Sequence, residues 1–194
     1  MIIMEKVLYC IRHGTALHNI LFWDQGEIVY EKYLDTPLVK KGVVESLKFG
    51  EEWNDIHKIE LVIVSPLLRT LQTADNIFCK KDLPMIALDC LMEYPQGIEL
   101  CNRRKTITEY KPCFPDVDFS HIESDEETQW RTERKENLDE LQQRIDTMIE
   151  FIKTRKEKHI AIVSHSSYLG YYLHKKIGDE NNELKHCYPY IHKL

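Results

Sequence analysis

The chain has few of the residues that mark disordered or repetitive polypeptides. Only 7 Gly and 7 Pro occur in 194 residues, and 43% of the residues are apolar, which excludes a low-complexity or disordered chain. No apolar run approaches the length that crosses a bilayer, so we expect no membrane association. No internal repeat argues for several units. The sequence therefore predicts a single globular domain over residues 1–194.

Paired cysteines and an excess of positive charge are also missing. The six cysteines are scattered without a CxxC pair, which indicates reduced thiols and neither disulfides nor a zinc site. A net charge of -6 is unfavourable for binding nucleic acid or an anionic membrane surface. The first strand-like run begins at Lys6 and leaves no room for a signal peptide, so we expect a cytoplasmic protein. We expect neither a metal nor a cofactor, because no HExxH or comparable spacing is present.

Short β-branched runs alternate with amphipathic helical patterns along much of the chain. Strands are predicted at Lys6–Ile11, Glu60–Ser65 and His159–Ser164, with a weaker one near Met85–Leu88, and helices at Lys40–Asn54, Pro66–Phe78 and roughly Glu133–Glu157. This alternation favours an α/β fold, a three-layer α/β/α sandwich with a mainly parallel sheet.

The segment from about residue 93 to residue 130 interrupts this regularity. It contains Pro95, Pro112 and Pro115 together with clusters of basic and acidic residues. We expect an ordered but irregular cover over the sheet edge, because long insertions of this kind often form substrate lids. The alternative is a solvated loop that has no role in binding.

Arginine and histidine stand where three of the predicted strands end. Arg12 and His13 end the first strand, Arg69 lies in the first helical turn after the second, and His165 follows the third. The carboxyl ends of parallel strands open on one side of a sheet, so these residues can converge there. Two guanidinium groups suit a tetrahedral dianion, and a helix N-terminus adds peptide N–H groups. The pattern predicts a phosphate site.

The same residues offer chemistry as well as binding. A neutral imidazole at His13 can attack phosphorus and form a phosphohistidine, and the neighbouring arginines favour the neutral form. Glu93, after the weak strand, is the candidate acid that protonates the leaving oxygen, although Asp89 and Glu99 lie close in sequence.

Arg103 and Arg104 have two open interpretations. With Lys105 they form a basic cluster within the irregular cover. They could hold a second anionic group of the substrate, or they could simply be solvated.

Four motifs in this order resemble those of the histidine phosphatase superfamily, the phosphoglycerate mutase-like proteins. They are RHGT with Asn19 seven residues after Arg12, SPLLRTLQTA, the segment around Glu93, and IVSHSS. The resemblance implies that His13 is the phosphorylated nucleophile and that Arg12, Arg69 and His165 form the phosphate pocket. It also implies that Asn19 contacts the phosphate and that Glu93 donates the proton.

The segment between residues 101 and 126 further resembles a plant and fungal subgroup of phosphoglycerate mutase-like proteins. Four positions depart from the commoner family pattern. Thr15-Ala16 stands where many members have Glu-Ser, His18 where many have Trp, and Ser167 where Gly, Ala or Asn is frequent. These departures count against glycolytic mutase activity but remove no catalytic group.

The sequence favours a metal-independent phosphomonoesterase that acts on a small phosphorylated metabolite through a phosphohistidine. A phosphomutase and a non-catalytic module that binds a phosphorylated ligand are the alternatives. Other phosphate and acyl chemistries are excluded, since there is no cysteine with an arginine six positions on, no GxxxxGK[ST] loop and no GxSxG elbow. The remaining histidines, including His18 and His186, are expected to be structural. The oligomeric state is left open.

Overall fold

The computed structural model describes residues 5–79, 81–178 and 182–194. Its strands are β1 (Val7–Arg12), β2 (Leu61–Val64), β3 (Met85–Ala87), β4 (Val117–Asp118), β5 (His159–Ser164) and β6 (Pro189–Lys193). Its α-helices are α1 (Leu17–Gln25), α2 (Ile28–Lys32), α3 (Lys40–Glu52), α4 (Leu68–Phe78), α5 (Ile107–Tyr110), α6 (Leu138–Thr154) and α7 (Ser166–His174). Residues 1–4, on which the expectation of no signal peptide partly rests, lie outside the described residues.

The strands form one sheet in the order β4-β3-β2-β5-β1-β6. The neighbouring pairs from β4 to β1 are parallel, and β6 pairs antiparallel with β1. The mainly parallel sheet is therefore confirmed, and β5 has the predicted bounds. We did not predict β6, because it is an edge strand whose residues are only half-buried or exposed and show no clear apolar alternation.

Helices cover both faces of the sheet, which confirms the three-layer sandwich. Within β1, Tyr9 and Ile11 point into a core shared with α3 and α4, whereas Leu8 and Cys10 point into a core shared with α6 and α7. The strands read as nearly continuous apolar runs because both of their faces are buried.

Capping explains the main error in the predicted helix bounds. We expected a helix from Glu133, but α6 begins at Leu138 because Asn137 caps it. The Asn137 side chain accepts the Glu140 N–H, and the Glu140 carboxylate accepts the Asn137 N–H, each at 3.0 Å. This reciprocal capping box stops the helix from extending towards the N-terminus. The helices α1, α2 and α7 were not predicted, because they are short and mix aromatic residues with few regular apolar repeats.

The irregular segment is ordered, and its elements are short. It contains α5, a 3₁₀ turn at Leu100–Asn102 and the two-residue strand β4. Since β4 pairs with β3 at the end of the sheet, part of the segment lies at the sheet edge. None of the described helices is long and apolar enough to cross a membrane.

Candidate active site

One cavity of about 220 Å³ opens where the parallel strands end. Arg12, His13, Asn19, Arg69 and Glu93, all proposed from the sequence, line this cavity. The His165 ring is buried beside it, with its centroid 5.2 Å from that of the His13 ring. The topology thus brings together residues that are up to 153 positions apart, from 12 to 165, because their strands run in the same direction.

The hydrogen bonds of His13 define its tautomer. Its Nδ1 lies 2.7 Å from the carbonyl oxygen of Gly14, which can only accept, so Nδ1 carries the ring proton. Nε2 keeps its lone pair and lies 3.3 Å from Nε of Arg69. Burial lowers the pKa of His13 well below its ordinary value of 6.5, and the charge of Arg69 lowers it further. His13 is therefore a neutral imidazole at physiological pH.

Backbone and amide acceptors hold the guanidinium of Arg69. Nη1 donates to the Cys101 carbonyl at 2.7 Å, and Nη2 donates to Oδ1 of Asn102 at 3.1 Å. Asn102 is itself fixed, since its Nδ2 donates to the Pro95 carbonyl and to Glu99, both at 3.1 Å. The irregular segment therefore orients an arginine that belongs to α4.

Two buried nitrogen atoms beside the cavity have no hydrogen-bond partner among the described residues. They are Nε of Arg12 and Nδ1 of His165. The rest of each side chain is engaged: Nη1 of Arg12 donates to the Leu184 carbonyl at 2.7 Å, Nη2 contacts Glu183 at 2.6 Å, and Nε2 of His165 lies 2.8 Å from Oγ of Ser65. Unpartnered buried nitrogens are costly, and functional sites are where such atoms are found.

Glu93 accepts hydrogen bonds at the beginning of α7. Oε1 accepts the N–H groups of Tyr94 at 2.8 Å and Tyr168 at 3.0 Å, and Oε2 accepts the N–H of Ser167 at 3.4 Å. Burial raises the pKa of Glu93, while these backbone hydrogen bonds and the charge of Arg69 act in the opposite direction. The result is a carboxyl group in the cavity that takes up a proton more readily than an exposed glutamate.

A family model for the histidine phosphatase superfamily (branch 1) matches residues 8–188. The chain belongs to this superfamily. Phosphoglycerate mutase-like protein 1 of Arabidopsis thaliana is 33% identical over an alignment of 223 residues. The alignment covers 97% of this chain and 75% of that protein. A second Arabidopsis thaliana relative, named phosphoglycerate mutase-like protein, is 34% identical and covers 84% of this chain and 72% of its own length.

Solved structures of other histidine phosphatase-fold proteins superpose on this chain and confirm the fold. The α-ribazole phosphatase from Shigella flexneri has a TM-score of 0.61 at 20% identity, covering 93% of this chain and 87% of that one. The ecdysone phosphate phosphatase from Bombix mori has a TM-score of 0.59 at 18% identity, covering 97% of this chain and 88% of that one.

Two arginines proposed as substrate ligands lie elsewhere in this histidine phosphatase. The Arg104 side chain is buried, bonds to Asp89 at 2.9 Å and donates to the main-chain carbonyls of residues 105 and 124–126. The Arg103 guanidinium stacks on the ring of Trp130 at 5.1 Å. Neither arginine lines the cavity. Arg104 is committed to the irregular segment, and a substrate-binding role of the two arginines stays a prediction.

Helix N-termini contribute differently from the prediction. We expected a helix N-terminus to offer peptide N–H groups to the phosphate; at the start of α4, the Leu68 N–H donates to Oδ1 of Asp35 at 2.8 Å. At α7, Glu93 accepts the N–H groups of Ser167 and Tyr168. Carboxylates therefore occupy these positions at both helix termini.

Two histidines that we expected to be structural lie next to His13. His18 lines the cavity, its ring centroid is 6.0 Å from that of His13, and its Nδ1 lies 2.5 Å from Oγ1 of Thr36. Nδ1 of His186 lies 2.5 Å from the His13 carbonyl oxygen. Burial lowers the pKa of both imidazoles. Within the described part of the chain, no group of three or more His, Cys, Asp or Glu residues could hold a metal ion.

The loop after β1 is packed closely against α3. The Gly14 N–H donates to Oγ1 of Thr73 at 3.1 Å, and Thr15 bonds to the Glu45 carboxylate through both its N–H and its hydroxyl. A Cβ atom at Gly42 would lie 2.1 Å from the Thr15 carbonyl oxygen. The backbone of α3 can approach the loop that carries His13 only because residue 42 is glycine.

Proposed function

We propose that this histidine phosphatase is a metal-independent phosphomonoesterase that transfers a phosphoryl group to His13 and then to water. The observation that carries the proposal is the neutral His13 imidazole, whose unprotonated Nε2 lies 3.3 Å from Nε of Arg69 in the strand-end cavity. A nucleophile beside a permanent cation is suited to a phosphate dianion, because the cation offsets the repulsion between lone pair and anion.

The donors around Nε2 would bind the equatorial phosphoryl oxygens. Arg12 offers its unpartnered Nε, and Arg69 offers a guanidinium already oriented by Asn102. If the Ser65 hydroxyl donates to Nε2 of His165, the proton of that ring resides on Nδ1, which then donates to a phosphoryl oxygen. Asn19, which also lines the cavity, adds a polar side chain at its mouth.

In the first step, the lone pair on Nε2 of His13 forms the N–P bond while the ester P–O bond breaks. The departing alcohol oxygen takes the proton of Glu93, whose pKa burial raises. The hydrogen bond that Nδ1–H of His13 donates to the Gly14 carbonyl stays intact. It stabilises the positive charge that develops on the ring. The products are the free alcohol, phosphohistidine and ionised Glu93.

In the second step, ionised Glu93 removes a proton from water as the water oxygen attacks phosphorus. The N–P bond breaks, its electron pair returns to Nε2, and inorganic phosphate leaves. Glu93 is protonated again, so both residues return to their starting states. A phosphomutase would share the first step and pass the phosphoryl group to a second substrate oxygen instead.

The decisive experiment compares the wild type, His13→Ala and the exposed control His57→Ala. Each protein is incubated with phosphorylated sugars, glycolytic acids, nucleotides and phosphopeptides, and released phosphate, isomerised product and acid-labile phosphoenzyme are measured. We expect phosphate release and phosphoenzyme in the wild type and in His57→Ala, and neither in His13→Ala. Isomerised phosphoglycerate without phosphate release would establish a mutase. Binding without turnover or phosphoenzyme in the wild type would establish a binding module.

A further inference from the structure

Beyond the phosphoryl pocket, the cavity is lined by carboxylates and aromatic rings. This outer part, the leaving-group region, comprises Tyr30, Tyr94, Glu99, Ile177 and Glu183. Among the described lining residues the cations are Arg12 and Arg69, and both already belong to the phosphoryl pocket. The leaving-group region therefore offers no lysine or arginine of its own to an anionic group.

Two carboxylates line this region, and each of them contacts one cation. Glu183 contacts Nη2 of Arg12 at 2.6 Å, and its side chain remains 54% exposed at the cavity. Glu99 accepts from Asn102 and contacts Nζ of Lys135 at 2.7 Å. The pKa of Tyr30 reflects this environment. Burial raises the pKa to about 12, and the negative charges of Glu99 and Glu183 act in the same direction.

The nearby basic residues do not line the cavity and are already engaged by other groups. Arg103 is stacked on Trp130, and the Arg104 side chain is enclosed by Asp89 and main-chain carbonyls. Lys135 lies outside the cavity lining, and its ammonium is bound to Glu99. A carboxylate or second phosphate on the substrate would thus face like charges in a partly desolvated space.

We propose, on the basis of the phosphomonoesterase function above, that the site selects phosphate esters of neutral or cationic alcohols and discriminates against esters whose alcohol carries an anionic group. The permanent cations Arg12 and Arg69 are both taken up by the phosphoryl group itself. The aromatic faces of Tyr30 and Tyr94 favour an uncharged or cationic moiety, and the carboxylates of Glu99 and Glu183 disfavour a negative one.

A matched substrate pair isolates charge from size. Glycerol 3-phosphate ends in a neutral hydroxymethyl group where 3-phosphoglycerate has a carboxylate. Phosphoethanolamine, whose alcohol carries an ammonium group, adds a cationic substrate. We expect kcat/KM for glycerol 3-phosphate and phosphoethanolamine to exceed that for 3-phosphoglycerate by about tenfold or more, a ratio equivalent to about 1.4 kcal/mol. Equal or greater activity on 3-phosphoglycerate would overturn the proposal.

The ion pair between Glu99 and Lys135 provides two variants with opposite expectations. Glu99→Gln removes a negative charge and should raise the relative kcat/KM for 3-phosphoglycerate about three- to tenfold. Lys135→Gln unmasks Glu99 and should lower that ratio by a similar factor. A purely structural role of the pair would change the ratio in the same direction in both variants or leave it constant, and either result would contradict the electrostatic argument.

Binding measurements separate this proposal from the phosphomonoesterase function. Dissociation constants of the three esters are measured by calorimetry on His13→Ala, which needs no turnover. If the wild type hydrolyses none of these three esters and no member of the wider panel above, and the affinities still follow the expected order, the proposed function is refuted and the selectivity is supported. Hydrolysis of all three esters, with equal affinities and equal kcat/KM, would support the proposed function and refute the selectivity.

Discussion

Asp35, between α2 and α3, is a buried carboxylate that contacts the first residue of α4, and replacing it with asparagine should change how stability depends on pH. The side chain is 1% exposed. Oδ1 accepts the Leu68 N–H at 2.8 Å, and the Tyr110 hydroxyl donates to Oδ2. The backbone φ of 41° lies in the left-handed region, which asparagine tolerates as well as aspartate does. Asp35→Asn therefore keeps the shape of the residue and removes its charge.

The magnitude follows from the pKa of Asp35, which burial raises to about 6 from an ordinary value of 3.8. The folded protein holds this proton more tightly than the unfolded chain does. Ionising Asp35 thus reduces the free energy of unfolding as pH rises from about 4 to about 6, and the loss is constant above that range. A difference of about two between the two pKa values corresponds to about 3 kcal/mol, with no discount for solvent because the group is enclosed.

The assay is urea unfolding of the wild type and Asp35→Asn at intervals from pH 4 to pH 8. Taking the difference between the two proteins cancels the titration of all other groups. We expect the wild type to lose about 3 kcal/mol relative to the variant between pH 4 and pH 6. A difference that stays flat over the full range would refute the reasoning.

Tyr110→Phe offers an independent check of the same carboxylate. The Tyr110 hydroxyl lowers the pKa of Asp35 by donating to it, so its removal should shift the transition to higher pH. A transition at unchanged or lower pH would show that the hydroxyl does not stabilise the ionised form.

Three further predictions concern the active site. Glu93→Gln should lower kcat/KM for alkyl phosphates about 10²- to 10⁴-fold and spare kcat/KM for p-nitrophenyl phosphate, whose leaving group needs no proton in the first step. The variant should also lose the fall in kcat/KM as pH rises through the raised Glu93 pKa. Equal losses of kcat/KM on both esters would exclude Glu93 as the acid. Asn102→Ala removes a hydrogen-bond acceptor from Arg69 and should lower kcat/KM by a factor equivalent to about 1.5–3 kcal/mol. An unchanged kcat/KM would contradict the positioning role of Asn102. Gly42→Ala should destabilise the protein by about 1–3 kcal/mol in thermal unfolding, because the added Cβ meets the Thr15 carbonyl oxygen. A melting temperature equal to that of the wild type would show that α3 can move away without cost.

The strands that carry the site could be read from the sequence because their physics is local. Runs such as Leu61–Val64 and His159–Ser164 are buried on both faces and are therefore apolar at nearly every position. The helices that were missed depend on less regular signals. In α7, Gly170 and several tyrosines lower the helical propensity, and packing against the sheet compensates for it.

The structure of the irregular segment could not be predicted in this way, because its contacts join residues far apart in the chain. Nothing local distinguishes Arg104, which is buried against Asp89, from an arginine that binds substrate. Likewise, Asn102 becomes significant only where the fold brings it to Arg69, 33 positions away. Hydrogen bonds of this kind have no periodic signature in the sequence.

By itself, the sequence determined which residues stand at the ends of the parallel strands, and therefore that Arg12, His13 and His165 converge. The reason is that strand direction and the residue that follows each strand are properties of the chain itself. Only the tertiary structure decided which tautomer His13 adopts, because that depends on the distance from Nδ1 to the Gly14 carbonyl. It also decided that Glu99, Glu183, Tyr30 and Tyr94, and not the basic cluster, line the cavity, since that arrangement arises from long-range packing.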